Sequence, residues 1–497
     1  MSGSKRRATG SAEHPPALEL LGAGPRRATK IVATIGLNAQ KPGALKSLLL
    51  AGVDVVRLNG AHCRPGEIRA RVALVRELEV ELDRSVGVLL DLGGPKIRVG
   101  PVADGGVVWA SGDVVEIVPG SMKGEGKRIG VTYPALLKDV QPGQEIRIDD
   151  GRVRLLVQAK RRGSLVAKVM TGGRVKSEAG VNFPNSALSA PALTAKDRRD
   201  LEEGLAAGVD FVGLSFVRSA AHVKALRKLI DRLPDDRRPW IVAKIERREA
   251  LLDLQEIALA TDVLMVARGD LGVEIGLASV PRAQREILAT GRSLSVPVIV
   301  ATQMLESMIE CPTPTRAEVS DVAGAVHDGA DAVMLSGETA VGAYPEEAVM
   351  VMAEIARMAE APESFAPVPP RAKARDFTAV MASTAADLAR AAGAKALVVY
   401  TEFGRTARLA SKEQLFLPIV AFTPRQSVRR RLTLLRDVFC FPVPPAQTVE
   451  EMIREGDRVL LGMPGFAGAT VVELSGTAPA QGATNTVRIR RLTERPA

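Results

Sequence analysis

The chain has 497 residues, 46% of them hydrophobic and 25% charged, with a formal net charge of +10. That length exceeds what one core organises, so about two to four domains are expected, and the composition excludes a wholly disordered chain. No run approaches the roughly 18 apolar residues of a membrane span, and no apolar signal segment follows the basic amino terminus, so neither insertion nor export is expected.

Residues 1–27 read as a disordered extension ending in a short helix. Apolar strand-like runs follow at IVATI (31–35), VDVVRLN (53–59) and VGVLLDL (86–92). A stretch too long for a helical crossover comes next. Its runs VVEIV, IRIDDGRVRLLVQA and SLVAKVM alternate with the two-residue period of β-structure, so a small β-domain is inserted over 101–190, placed to act as a lid. The series resumes at VDFVGLSF (209–216), WIVAKIE (240–246), DVLMVAR (262–268), VPVIVATQM (296–304) and ADAVMLSGE (330–338). Helical periodicity between most runs, as in RREALLDLQEIALAT, implies right-handed crossovers and a parallel sheet. Eight such units predict an α/β fold with a closed (β/α)8 barrel over 28–100 and 191–365.

A Pro-rich linker, APESFAPVPPRAKAR, precedes a separate open α/β domain over 371–497. Its expected elements are helices at 378–392, RTARLASKE and QSVRRRLTLL, strands KALVVYT and PIVAFT, and short strands near VFCFPV, DRVLLGM and TVRIRRL.

The three cysteines, Cys63, Cys311 and Cys440, form no CxxC pair, which argues against a disulfide framework or thiolate zinc site and fits a reducing cytoplasm. Basic residues are spread along the chain and aromatics are only 3%, so nucleic acid is not an expected partner; small anionic ligands are. The densest basic cluster, Arg429 to Arg431, reads as a solvated helix face.

In a barrel of this kind the active site lies at the carboxyl ends of the strands. Arg57 and Asn59, Asp91, Ser215, Lys244 and Glu246, Asp270, Thr302, and Ser336 and Glu338 all stand at such exits. Lys244 and Glu246 are two apart on one strand and share a face. Asp270 arrives one βα unit later, so two carboxylates converge with an ammonium between them, a donor set that suits Mg²⁺. Gly269 lets main-chain amides approach an anion, and the planar fork of Arg57 suits phosphate, with His62 just beyond. Phosphoryl transfer is the leading class, because it needs positioning and charge neutralisation more than a covalent nucleophile.

The blocks TKIVATIG, VVRLNGAH, DLGGPKIR, LTAKD, LSFVR, VAKIE, MVARGDLGVE, VIVATQMLESM, PTRAEVSDVA and DAVMLSGETAVGAYPEEAV occur in this order and resemble pyruvate kinase across most of the chain. The resemblance implies phosphoryl transfer from phosphoenolpyruvate to ADP, giving pyruvate and ATP, the last step of glycolysis. It implies that Glu246 and Asp270 hold Mg²⁺ or Mn²⁺ and that Lys244 stabilises the transferred group and the enolate. Arg57 then grips the phosphoryl group, the Arg268-Gly269-Asp270 main chain the carboxylate, and Thr302 orients the proton donor. Asn59, His62 and Lys196 fall on the nucleotide side, and Asp149 or Asp150 brings the lid near the mouth. A homotetramer is also implied.

The chain departs from the family at two motifs. RLNGAHC stands where many members read RLNFSHG, and DLGGPKIR where they read DTKGPEIR. Ala61 and Leu92 lack hydroxyls that serve a monovalent-cation site there, alongside positions matched by Asn59 and Asp91. Lys96 replaces a glutamate and puts a permanent charge nearby, resembling members that do not need K⁺. In the last domain TEFGRTA resembles an effector-phosphate loop, with Phe403 where a hydroxyl residue is common, so sugar-phosphate activation is not expected, although Arg405, Thr406 and 484–486 could still form a phosphate pocket. The segment 448–457 reads as too short for the helix usual there. Two alternatives stay open: a same-barrel enzyme acting on another enol phosphate or keto acid, favoured only by Gly60, Ala61, Cys63 and Gly93, and a catalytically silent member.

Overall fold

The computed structural model describes residues 26–36, 42–103, 105–360, 377–476 and 484–493. The expected amino-terminal extension up to residue 25 and the Pro-rich linker lie outside the described residues.

Eight strands close into a barrel: Lys30–Thr34, Val55–Asn59, Gly87–Asp91, Phe211–Leu214, Trp240–Ile245, Val263–Ala267, Val298–Ala301 and Ala332–Leu335. Every neighbouring pair is parallel, and the eighth strand pairs with the first. The strands are short and almost wholly buried, because helices cover the outside while side chains fill the inside, which is why they read as near-continuous apolar runs.

At the amino ends of the barrel one device repeats. Asp54, Asp210, Asp262 and Asp331 each precede a strand and accept the main-chain N–H of a neighbouring strand, on Ile31, Val88, Ile241 and Val298. Each is neutralised by a cation: Arg27 and Arg84, Arg76, Arg227 and Lys412 respectively. Charge at this pole serves the fold, leaving the opposite pole for chemistry.

The inserted segment forms a six-stranded sheet with its own core, plus a small two-stranded sheet. The last domain is a five-stranded sheet, Val438–Pro442, Ile419–Thr423, Ala396–Tyr400, Thr470–Gly476 and Thr484–Arg491 in spatial order, with the final strand antiparallel. Two expectations fail here. DRVLLGM is not a strand, and 448–457 is not short of a helix: a single helix runs Val449–Leu461. Thr448 caps it by accepting from Glu451 N–H, two glutamates occupy its first turn, and Ile453, Gly456 and Leu460 share its buried face. The strand missed instead is Thr470–Gly476.

The basic cluster is not a solvated face either. Arg430 pairs with Glu79 of the barrel at 2.6 Å, and Arg431 is buried, donating to Arg238 O. Between them and the barrel, Leu434 enters the amino-terminal end of the barrel interior and joins the layer formed by Val32, Leu89, Phe211, Val242 and Val263. Gly87 makes room for this approach; a Cβ there would stand 2.8 Å from Thr433 Oγ1.

Candidate active site at the carboxyl ends of the barrel strands

Lys244 is the penultimate residue of the fifth strand, and Glu246 follows that strand's last residue on the same side. The Lys244 ammonium lies 2.9 Å from Glu246 Oε1, 3.3 Å from Asp91 Oδ1 and 2.7 Å from Ser215 Oγ. Burial works against a charged lysine there, but Asp91 and Glu246 outweigh it and hold the group above its ordinary pKa. Asp91 ends the third strand and is shared with Arg57, whose Nε and Nη2 lie 2.8 and 2.7 Å from Asp91 Oδ2. Thr34, at the exit of the first strand, accepts from Arg57 Nη1 at 2.8 Å. Burial opposes ionisation of Asp91, yet Lys244 and Arg57 pull its pKa below the usual carboxylate value. The row therefore alternates in charge: Arg57, Asp91, Lys244, Glu246.

Glu246 ends that row. Burial pushes its carboxyl up, and Asp270 pushes it further, while Lys244 and the Phe216 N–H, which donates to Oε2 at 2.6 Å, oppose the push. A buried carboxyl whose cost of ionisation is raised by a second carboxylate beside it is a fitting seat for a hard divalent cation, which offsets that cost. Among the described residues no cluster of three or more histidine, cysteine, aspartate or glutamate side chains is grouped to hold a metal. A cation at Glu246 and Asp270 would complete its shell with substrate and water oxygens, as Mg²⁺ commonly does.

The sixth strand does not end in charge as its run suggested. It stops at Ala267, and Arg268 opens a helix, Arg268–Ile275, with Asp270 in its first turn. Arg268 is buried, bonded to Thr302 O and Gln303 O and paired with Asp321 at 2.7 Å, so its side chain braces the seventh exit. Gly269 N–H donates to Thr302 Oγ1 at 2.8 Å, and that hydroxyl donates to Ala301 O at 2.6 Å. Thr302 holds φ = 69°, a conformation costly for a β-branched residue, and the neighbouring Gln303 holds 53°.

On the other side of the mouth, Asn59 ends the second strand and caps the turn Gly60–His62 by accepting from Ala61 N–H. Gly60 passes close to the third strand; a Cβ there would lie 2.9 Å from Asp91 O. Lys196 lies in the helix Ala195–Ala207, which Thr194 and Asp197 cap reciprocally, and its ammonium is engaged by Gly60 O at 2.5 Å and Asp200 at 2.6 Å. His62 is exposed, and partial burial and then Arg98, Lys96, Arg57 and Lys196 lower its pKa. These cations form a basic rim suited to a polyphosphate. Lys96 is exposed on it, while Asp91 is filled by Arg57 and Lys244.

The inserted sheet overhangs this mouth. Asp149 and Asp150 form its turn, both in the left-handed region, and Asp150 lines a cavity together with Lys96, Asn182, Phe216, Arg247 and Asp270. Ser336 and Glu338, read as site candidates from their position, belong to the scaffold: Glu338 is buried and accepts from the N–H groups of Leu305 and Ser336. The PTRAE motif is likewise structural, Thr315 and Glu318 capping the helix Arg316–His327. Sequence reasoning missed Thr34, the Phe216 N–H and the buried pair Arg247 and Glu274. Phe216 contributes through a left-handed backbone, φ = 53°, which nothing in its residue type announces.

Burial pushes the Glu274 carboxyl up to about 7; Glu249 and Asp270 add to the push, and Arg247 and Asn182 oppose it. A carboxyl raised on folding contributes stability that is complete below its unfolded value and lost as pH rises through about 7. Glu274→Gln is therefore expected to remove roughly 2 kcal/mol of the stability difference between about pH 5 and about pH 8, read by denaturant unfolding at both. Equal pH slopes in the two proteins would contradict this.

In the last domain Thr406 and Thr484 do meet, their hydroxyls 2.9 Å apart. Arg425 lies over the Phe403 ring and pairs with Glu402 at 2.5 Å.

Comparison with known proteins points to one family. Residues 26–349 match the family model "Pyruvate kinase, barrel domain" and residues 379–490 match "Pyruvate kinase, alpha/beta domain". Curated proteins named pyruvate kinase from Corynebacterium glutamicum and Mycobacterium tuberculosis are each 42% identical over 470 residues, covering 94% of this chain and 98% and 99% of theirs. One from Methylorubrum extorquens is 38% identical over 466 residues, covering 89% of this chain and 96% of its own.

Proposed function

The chain belongs to the pyruvate kinase family and has that family's phosphotransferase function, and from that premise we infer how the barrel mouth moves a phosphoryl group from phosphoenolpyruvate to ADP. The observation that carries the reading is the Lys244 ammonium fixed among Asp91, Ser215 and Glu246, with Asp270 acting on Glu246 from the first turn of the helix that follows the neighbouring strand.

Glu246 and Asp270 would hold Mg²⁺ or Mn²⁺, which when bound would supply positive charge toward the anionic oxygens of the substrate. Arg57, pre-oriented by Asp91 and Thr34, clamps the phosphoryl group. Lys244, kept protonated by its carboxylate neighbours, faces the charge that develops as the P–O bond to the enol oxygen breaks and a new bond forms to a terminal oxygen of ADP. The substrate carboxylate replaces the Thr302 hydroxyl on the Gly269 N–H. Thr302, so released from one partner, orients the proton donor that converts the enolate to pyruvate. Asn59, His62 and Lys196 with the basic rim receive the nucleotide phosphates, and the inserted sheet excludes water as it docks. A lactate-dehydrogenase-coupled assay with phosphoenolpyruvate, ADP and Mg²⁺ tests the reading, and absence of turnover by folded protein would overturn it.

We propose further that K⁺ is dispensable. Ala61 offers no hydroxyl ligand, both Asp91 oxygens face protein cations, and Lys96 adds charge to the same rim. Activity is expected to be unchanged when K⁺ replaces a tetraalkylammonium ion at fixed ionic strength; a several-fold rise on adding K⁺ would reject the proposal.

The assembly we propose is a homotetramer, consistent with large apolar side chains left exposed on this chain, among them Leu252, Leu277, Met358 and Phe377. Light scattering on the eluting protein reads that state directly. No described helix is long and apolar enough to cross a membrane; with three free cysteines, a cytoplasmic setting is the proposed one.

A further inference from the structure

Two buried groups beneath the inserted sheet take no part in the chemistry above. Arg247 directly follows Glu246, and Glu274 lies one helical turn beyond Asp270. Arg247 Nη1 donates to Glu274 Oε1 at 2.7 Å, with side-chain exposures of 6% and 0%. This ion pair ties the backbone just past one carboxylate to the backbone just past the other.

The inserted sheet lands on the same pair. Asn182 Nδ2 reaches Glu274 Oε1 at 3.4 Å, and Arg147, paired with Asn182 across two antiparallel strands, donates to Val273 O. Glu145 holds Arg147 in place through Nη2 at 2.9 Å. Both contacts therefore fall on consecutive residues of the helix that begins with Arg268 and carries Asp270. The joint is also unsaturated: Arg247 Nη2, Glu274 Oε2 and Glu249 Oε2 are buried with no hydrogen-bond partner among the described residues, although Glu249 stands 3.6 Å from Arg247 Nε. A buried donor and two acceptors left unmade cost free energy.

We propose that the Arg247–Glu274 pair couples docking of the inserted sheet to the separation of Glu246 and Asp270. Both are positioning residues that do not touch substrate. The proposal rests on the reading that these carboxylates hold a divalent ion, and it deepens that reading: a docked lid and a well-spaced metal seat are one event.

The test uses the full chain with Mn²⁺ as probe, its binding read by the paramagnetic resonance of the free ion and lid docking by hydrogen exchange at 145–150 and 180–183. Arg247→Met is expected to weaken Mn²⁺ binding by about tenfold or more, as when a group orienting a metal ligand is lost, and to speed exchange in both segments. Arg247→Lys should recover much of each. Asn182→Ala removes a lid contact and no metal ligand; it is expected to speed exchange, to raise the KM for ADP more than it lowers kcat, and to weaken Mn²⁺ binding measurably. If Asn182→Ala loosens the lid and leaves Mn²⁺ affinity intact, the coupling does not exist. Wild-type binding and exchange in Arg247→Met would overturn it as surely, and should that variant fail to fold, Asn182→Ala decides. Binding and exchange are read without turnover, so a chain that shows the coupling and lacks kinase activity would sink the functional reading and keep the joint.

Discussion

Lys244→Met is expected to lower kcat by about 10²- to 10³-fold, the loss seen when one charge-stabilising donor is removed from a reacting oxygen. The structure adds a second consequence. Lys244 sits between two buried carboxylates, and its removal leaves Glu246 with the Phe216 N–H alone and Asp91 with Arg57 alone among the described residues. Breaking such a pair costs about 3 kcal/mol. Because the folded-state pKa of Lys244 is raised, that stabilisation is fully present below the ordinary lysine value, so the whole cost falls at neutral pH. The two effects separate cleanly: urea midpoints give the stability loss, and the coupled assay below the transition gives the rate. Near-normal turnover, or a rate loss that merely tracks the unfolded fraction, would remove Lys244 from the mechanism.

Asp270→Asn is expected to act in the opposite way on stability. Asp270 raises the cost of ionising buried Glu246, so its neutral isostere should leave the metal-free protein as stable as before or slightly more so. The same change should weaken Mn²⁺ binding by about 10²-fold and abolish measurable turnover, since it removes one of the two carboxylates proposed to hold the ion. Chelator-treated protein compared by thermal unfolding, alongside Mn²⁺ titration, checks both halves. A destabilised variant with retained turnover would show that Asp270 belongs to the scaffold.

The barrel was legible because its strands are largely buried on both faces and most of their polar residues, Asn59, Asp91 and Lys244 among them, lie toward the end that leaves the sheet; Lys30, which opens the first strand, is an exception. The same rule overreached at Ser336 and Glu338, whose carboxylate and main chain serve loop closure at the mouth rather than its chemistry. It also placed Arg268 in a strand, because an apolar run followed by charge looks alike whether the chain continues extended or turns into a helix. Asp270 nonetheless stands at the mouth, since the turn begins at the barrel's rim. The segment at 457–463 misled for a different reason: Val459, Leu460 and Leu461 are consecutive, but the cap at Thr448 lies nine residues earlier and sets the period. What stayed hidden at the site is mostly main chain. The Phe216 N–H and the left-handed Thr302 are imposed by neighbouring loops, and Arg247 and Glu274 gain meaning only when the inserted sheet is laid across them.

Leu434 is encoded long after the eighth strand, yet it floors the first. A ribosome releasing this chain thus delivers a complete ring of staves before the stopper that keeps water out of it. The barrel and the last domain should accordingly melt together in calorimetry, as one transition. A gene cut before Phe377 is expected to yield aggregates, with Phe211 and Trp240 opened to solvent at the unplugged foot.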